Sequence, residues 1–166
     1  MIDFTTTALH GVAICIPFSI FAICKFWGQP RLWLHSLPPD IQEMAGPKTD
    51  AELKRTRWLV IPVLILLPGC SVASLLYAVH SGSVDLTVAG AFVHLYGIWV
   101  IVHLWDLIVI DFGHIALINP DSPPIPNTEG ARGYKDFAFH GRAFIRACIF
   151  SLLFVGPAAI IIGIAV

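Results

Sequence analysis

The chain has 166 residues, of which 57% are hydrophobic and only 13% charged, with a formal net charge of −1. A soluble globular domain carries about a quarter of its residues as charged side chains, so this composition excludes an ordinary soluble enzyme. The ten basic residues are too sparse for a nucleic-acid-binding surface.

The apolar residues fall in four blocks, at about 5–26, 58–79, 86–110 and 143–165. Each is close to the roughly 20 residues that a membrane-spanning helix needs. Lipid leaves an open strand edge unsatisfied, so helices are the spanning structures at these lengths. The expected fold is an all-α integral membrane protein: a four-transmembrane-helix bundle, one domain over 1–166, with no internal repeat.

Charge placement gives the orientation. Lys25, Arg31, Lys48, Lys54, Arg55 and Arg57 lie between or beside the first two blocks, and Arg132, Lys135, Arg142 and Arg146 around the join of the last two. Four spans put both groups on one side, which the positive-inside rule makes cytoplasmic. Segments 28–57 and 111–142 are then cytoplasmic and both termini outside, in a plasma membrane or bacterial inner membrane. Asp3 stands where a signal peptide has positive charge, so the first block reads as an uncleaved span. Cys15, Cys24, Cys70 and Cys148 all fall within spans without a C-x-x-C pair, and read as small buried apolar residues.

In chain order, block one contains Pro17, a kink site, and closes with Phe26 and Trp27 at the interface. The next segment places Trp33, Leu34, Leu37, Ile41 and Met44 at near-helical spacing, predicting a short amphipathic element on the membrane surface. Pro38 and Pro39 predict a turn or helix start within it. Thr49 and Glu52 form a T-x-x-E capping box, so a helix begins near Asp50 and runs into span two, bent by Pro62 and Pro68. The turn HSGSVD makes spans two and three antiparallel neighbours. From Asp85 to Ile118 a single helix extends about 50 Å, against a hydrocarbon core of about 30 Å, so its last three turns project into the cytoplasmic interface. NPDSPPIPNTEG breaks the chain, GYKDFAFHGRAFIRA enters span four, and Gly156–Pro157 marks another kink.

The third span also carries His94, His103, Asp106, Asp111 and His114. An aspartate at mid-helix costs on the order of 2.5–3.5 kcal/mol on insertion scales, which marks these groups as functional candidates. At about 100° per residue, Tyr96, Trp99, His103, Asp106, Ile110 and His114 share a face, with Asp111 at its edge and His94 opposite. His103/Asp106, Asp111/His114 and Asp136/His140 pair a carboxylate with an imidazole on neighbouring turns. Arg142 and Arg146, with Glu129, lie at the rim of this group.

Three chemistries fit. A zinc or iron ion would take His103, His114, His140 and Asp106 as ligands, although no H-E-x-x-H or E-x-x-H spacing is present. An acid–base site would use His103 and Asp106 on a lipid-soluble small molecule walled by Tyr96 and Trp99, with Arg142 and Arg146 holding an anionic group. A proton pathway is the third. The alternatives are interfacial or packing roles for these polar groups, and a non-catalytic accessory subunit. That subunit would dock on a membrane protein partner through Gly156, Ala158, Ala159 and Gly163. Membrane lipid is the expected surrounding. His10, His80 and His94 read as separate interfacial histidines, with bis-histidine haem as the other reading. WLHSLPPDIQ and GYKDFAFHGRAF look like motifs, with no activity attached.

The charge asymmetry predicts a labelling pattern in a cysteine-free chain. Ser83→Cys reacts with an impermeant maleimide on intact cells, and Lys54→Cys reacts only after permeabilisation. The opposite pattern contradicts the orientation.

Overall fold

The computed structural model describes residues 3–164, apart from the side chains of residues 114–116. Six α-helices account for most of it: α1 Phe4–Gly28, α2 Pro39–Ala45, α3 Asp50–His80, α4 Val88–Trp105, α5 Phe112–Leu117 and α6 Phe137–Ile164. No strand occurs among the described residues. Phe4–Gly28, Asp50–His80, Val88–Asp111 and Phe137–Ile164 are long and apolar enough to cross a membrane.

Local chemistry sets the boundaries. The Asp3 carboxylate accepts the Thr5 N–H at 2.9 Å and caps α1. Pro39 opens α2 at a position where a missing N–H costs nothing, and Gly46 ends it at φ 72°. The predicted capping box is present: Thr49 Oγ1 accepts the Glu52 N–H at 3.3 Å, and Glu52 Oε2 accepts the Thr49 N–H at 2.8 Å. The helix it opens runs unbroken through Pro62 and Pro68 to His80.

α4 packs most extensively on α6, then on α1, and less on α3. Lipid tails are as apolar as the helices, so close van der Waals contact and buried hydrogen bonds hold such helices together. Small residues provide the contact. A Cβ at Gly163 would lie 2.7 Å from Val88 Cα, and one at Gly97 would lie 2.8 Å from Thr7 Cγ2. Ala158 and Ala159 also bury against the α3–α4 side of the molecule. The small-residue surface of α6 is thus largely used within the chain.

The hydrogen bonds centre on His94, which is fully buried. Its Nδ1 lies 2.9 Å from Thr7 Oγ1, its Nε2 lies 2.9 Å from Ser74 Oγ, and Ser74 Oγ lies 2.7 Å from His10 Nδ1. This corrects the reading of His10 and His94 as separate interfacial residues. The hydroxyl partners stand on α1 and α3, where the pattern of one helix cannot show them. With both ring nitrogens of His94 held by hydroxyls, neither is free for a haem iron.

Two hydrogen bonds define opposite ends. The Asp3 N–H donates to Ser83 O at 2.9 Å, joining the start of α1 to the α3–α4 turn. At the other end the Gly133 N–H donates to Asp40 Oδ2 at 2.8 Å, joining the α1–α3 connection to the α5–α6 connection. The two basic segments therefore share an end. The first connection is a 3-10 helix over Pro30–Ser36 followed by α2, and the second includes a 3-10 helix over Arg132–Lys135.

These connections form a core of their own, from Leu34, Leu37 and Ile41 on one and Ile118, Ile125, Ala131 and Tyr134 on the other. Outside lipid such burial is favourable, by about 1.5–3 kcal/mol for a fully buried large aliphatic side chain. Tyr134 and Thr128 hydroxyls meet at 2.8 Å, and Thr128 donates to Ile125 O at 2.6 Å, so the buried polar atoms are satisfied. Burial pushes the Tyr134 phenol above its usual pKa. On the first connection, Lys48 Nζ donates to Leu32 O at 2.5 Å and to Thr56 Oγ1 at 3.1 Å. Arg31 Nε pairs with Glu52 Oε1 at 2.7 Å.

A Cβ at Gly133 would lie 2.7 Å from Pro38 Cβ and inside contact distance of the Asp40 carboxylate. Gly133→Ala should therefore destabilise the chain by about 1–3 kcal/mol, lowering its thermal midpoint by several degrees. Gly141→Ala, where a Cβ meets nothing within 4 Å, should not lower it. Equal midpoints for the two variants in a thermal melt would contradict this packing.

Candidate functional site

The docked connections roof a cavity of about 330 Å³ between the ends of three spans. Phe18, Ala22 and Phe26 of α1 and Ala143, Phe144 and Ala147 of α6 supply apolar wall. Trp33, His35, Leu37 and Ile41 come from the first connection, and Ile118 and Tyr134 from the second. The polar wall is His103, Asp106, Asp111, His140 and Arg146. α3 does not reach it.

The third span enters the cavity through a change of helix type. After Trp105 the chain takes a π-helical turn over Asp106–Asp111, and the Phe112 N–H donates to Leu107 O, five residues back. In a 3.6-residue helix, positions five apart differ by about 140°. The wider π-turn brings Asp106 and Asp111 closer to one face than an α-helix would, and both line the cavity. π-turns of this kind recur at functional sites.

Asp111 Oδ2 lies 2.9 Å from His140 Nδ1. This tie crosses from the third span to the fourth and replaces the expected Asp136–His140 pair. Asp136 instead starts α6: its Oδ1 accepts the Phe139 N–H at 2.8 Å, and its Oδ2 lies 4.0 Å from the Arg142 guanidinium. A short side chain at a helix start finds an orphan backbone N–H first.

Asp106 makes no hydrogen bond among the described residues, although it lines the cavity. His103 stacks edge-on to Trp99 at 5.9 Å, and its Nε2 is buried without a partner. Trp33 Nε1 is likewise buried without a hydrogen-bond partner. Buried polar atoms are nearly always paired, and both unpaired nitrogens belong to residues that line the cavity. His35 Nδ1 lies 3.1 Å from Lys48 Nζ. Burial and the neighbouring Lys48 lower the pKa of His35, so near neutral pH it is an uncharged acceptor for that ammonium.

Other expected site residues lie elsewhere. Tyr96 donates its hydroxyl to Cys148 O at 3.4 Å, and Trp99 stacks on Phe154 at 6.4 Å, so both serve the α4–α6 contact. Neither lines the cavity, whereas Arg146 does. Arg142 and Glu129 are exposed and also outside the lining. His114 belongs to α5 by its backbone, but its side chain lies outside the described residues. Of the metal ligands expected from sequence, His103, His140 and Asp106 share the wall. Among the described residues, no three His, Cys, Asp or Glu side chains form a group that could hold a metal ion.

Trp33, His35 and Tyr134 were not expected in a site. Their signal was the two motif-like stretches, WLHSLPPDIQ and GYKDFAFHGRAF, which meet at the Asp40–Gly133 hydrogen bond. The arrangement offers an unbonded carboxyl and imidazole side chains in a mostly apolar chamber, with a guanidinium at one side. No family model, curated protein or solved structure matches this chain.

The Asp111–His140 contact predicts energetic coupling. In a thermal-unfolding double-mutant cycle, Asp111→Asn and His140→Gln should deviate from additivity by about 0.5–3 kcal/mol. Additive effects would mean that the two side chains do not sense each other.

Proposed function

We propose that this protein is a four-transmembrane-helix bundle that binds a small lipid-soluble molecule in the cavity at its cytoplasmic end and transfers a proton on it. Asp106 and His103 are the acid–base pair, and Arg146 bounds the polar side of the chamber. The two basic segments support a cytoplasmic placement for this end.

The observation that carries this reading is the cavity wall. Asp106 and His103 line a chamber of about 330 Å³, at the lower end of the size usual for small-molecule sites. Asp106 has no hydrogen-bond partner among the described residues, which leaves its carboxyl available to a molecule held there. A purely structural aspartate at this depth would be expected to carry a partner. A carboxyl and an imidazole in a mostly apolar chamber are suited to moving a proton between two positions of one molecule. The accessory-subunit reading has less support, because Ala158, Ala159 and Gly163 pack within the chain.

Ala147 lines the cavity, so Ala147→Trp should fill it. Organic extracts of detergent-purified wild type should contain a co-purifying small molecule that is absent from Ala147→Trp at an unchanged thermal midpoint. Asp106→Asn should retain that molecule as one chromatographic species where wild type holds two of equal mass. Equal retention by wild type and Ala147→Trp contradicts binding in the cavity. An identical pair of species in Asp106→Asn contradicts the role of Asp106.

A further inference from the structure

A second, open groove of about 350 Å³ runs between α1 and α3 and shares no lining residue with the cavity. We propose that it binds one anionic phospholipid, with the phosphate held by Lys25, Gln29 and Arg55 and an acyl chain laid along Phe21, Leu59 and Pro62. Residues three or four apart share a helix face. Phe21, Lys25 and the C-cap residue Gln29 therefore form one stripe at the end of α1, and Arg55, Leu59 and Pro62 form another at the start of α3. The two helices run antiparallel, since Asp3, at the start of α1, meets Ser83, just past the end of α3. The polar ends of both stripes thus lie together, and so do the apolar ends. Four residues advance about 6 Å along a helix, so Lys25 and Arg55 stand one turn nearer the basic end than Phe21 and Leu59. Leu32 of the first connection and Leu59 are both buried in its wall.

The charge of the groove selects an anion. None of its lining residues is acidic. Glu52, one turn before Arg55, is already engaged by Arg31 at 2.7 Å and by the Thr49 N–H at 2.8 Å. Lys25 and Arg55 have no carboxylate partner among the described residues. Two cations on one groove repel each other, and a phosphate between them turns that repulsion into attraction. Arginine and lysine are the usual phosphate partners, and the Gln29 amide can add a hydrogen bond. A zwitterionic headgroup would bring a third cation to the same place, so a lipid of net negative charge fits better. The apolar half of the groove selects a lipid over a free phosphate ester. Trp58, also in the lining, is 67% exposed, and an indole beside interfacial charges settles at headgroup level. Ile61, Leu64 and Ile65 extend this exposed apolar surface along α3.

The test places the full-length protein in phosphatidylcholine vesicles that contain a small share of lipid with brominated acyl chains, which quench nearby indoles. The contribution of Trp58 is the difference in each background between the chain with Trp58 and its Trp58→Phe counterpart. Brominated phosphatidylglycerol should quench Trp58 at about one-tenth of the mole fraction that brominated phosphatidylcholine requires. Lys25→Gln/Arg55→Gln should reduce this preference to about twofold or less. Lys54→Gln/Arg57→Gln removes the same charge from exposed positions outside the groove, and should leave the preference near its wild-type value. Equal quenching by the two lipids in wild type overturns the anionic assignment. An equal loss in both double variants also overturns the site, because the attraction would then belong to the whole basic surface. Relief of the quenching by millimolar glycerol phosphate overturns the lipid in favour of a free phosphate ester. If the Lys25/Arg55 double variant fails to fold, Lys25→Gln alone carries the same comparison, with an expected loss of about threefold.

Discussion

A hydrogen bond between the Asp40 carboxylate and the Gly133 N–H, 2.8 Å long, joins two connections that lie 93 residues apart in the chain. Everything at that end of the molecule depends on this contact. It brings a proline-bounded helix against a 3-10 turn so closely that the backbone at 133 has no room for a side chain. Leu34, Leu37, Ile41, Ile125 and Tyr134 then bury one another. Without that docking, Trp33 and Tyr134 would be surface aromatics, and the ends of three spans would open to their surroundings. With it, they become walls of a chamber.

The long helices follow a different physics. Between spans there is little hydrophobic drive, so glycine contacts and the Thr7–His94–Ser74–His10 chain hold α1, α3, α4 and α6 in register. The polar side chains of the third span divide accordingly. His94 finds hydroxyl partners toward one end, and His103, Asp106 and Asp111 gather toward the other. The π-turn over Asp106–Asp111 adds the rotation that brings the second carboxylate onto the cavity face and within reach of His140. A plain α-helix would leave Asp111 at the edge of that face.

The sequence made the four long helices legible because their apolar blocks match span length, and it marked the start of α3 because Thr49 and Glu52 are a local device. His103, Asp106 and His140 were likewise visible as costly residues in apolar surroundings, and they do share a cavity wall. Pairings between elements were hidden. His140 meets Asp111 rather than Asp136 because helix type and interhelical register decide it, and neither leaves a mark in the spacing. Tyr96 and Trp99 lie on the expected face of the third span, yet α6 covers them before the cavity begins. Trp33 was readable as an interfacial aromatic, but its place beneath a roof required knowing that residues near 133 fold back onto residues near 40.

The most direct test of this account is the distance between the two connections in a lipid bilayer. Spin labels at the exposed positions Met44 and Arg132, in a chain whose four native cysteines have been replaced, report it by pulsed dipolar spectroscopy. Docked connections predict a single short, narrow distance distribution that broadens and lengthens when Asp40→Ala is added. A broad distribution already present without that substitution would mean that the connections move independently, and the chamber with its proposed chemistry would have no roof.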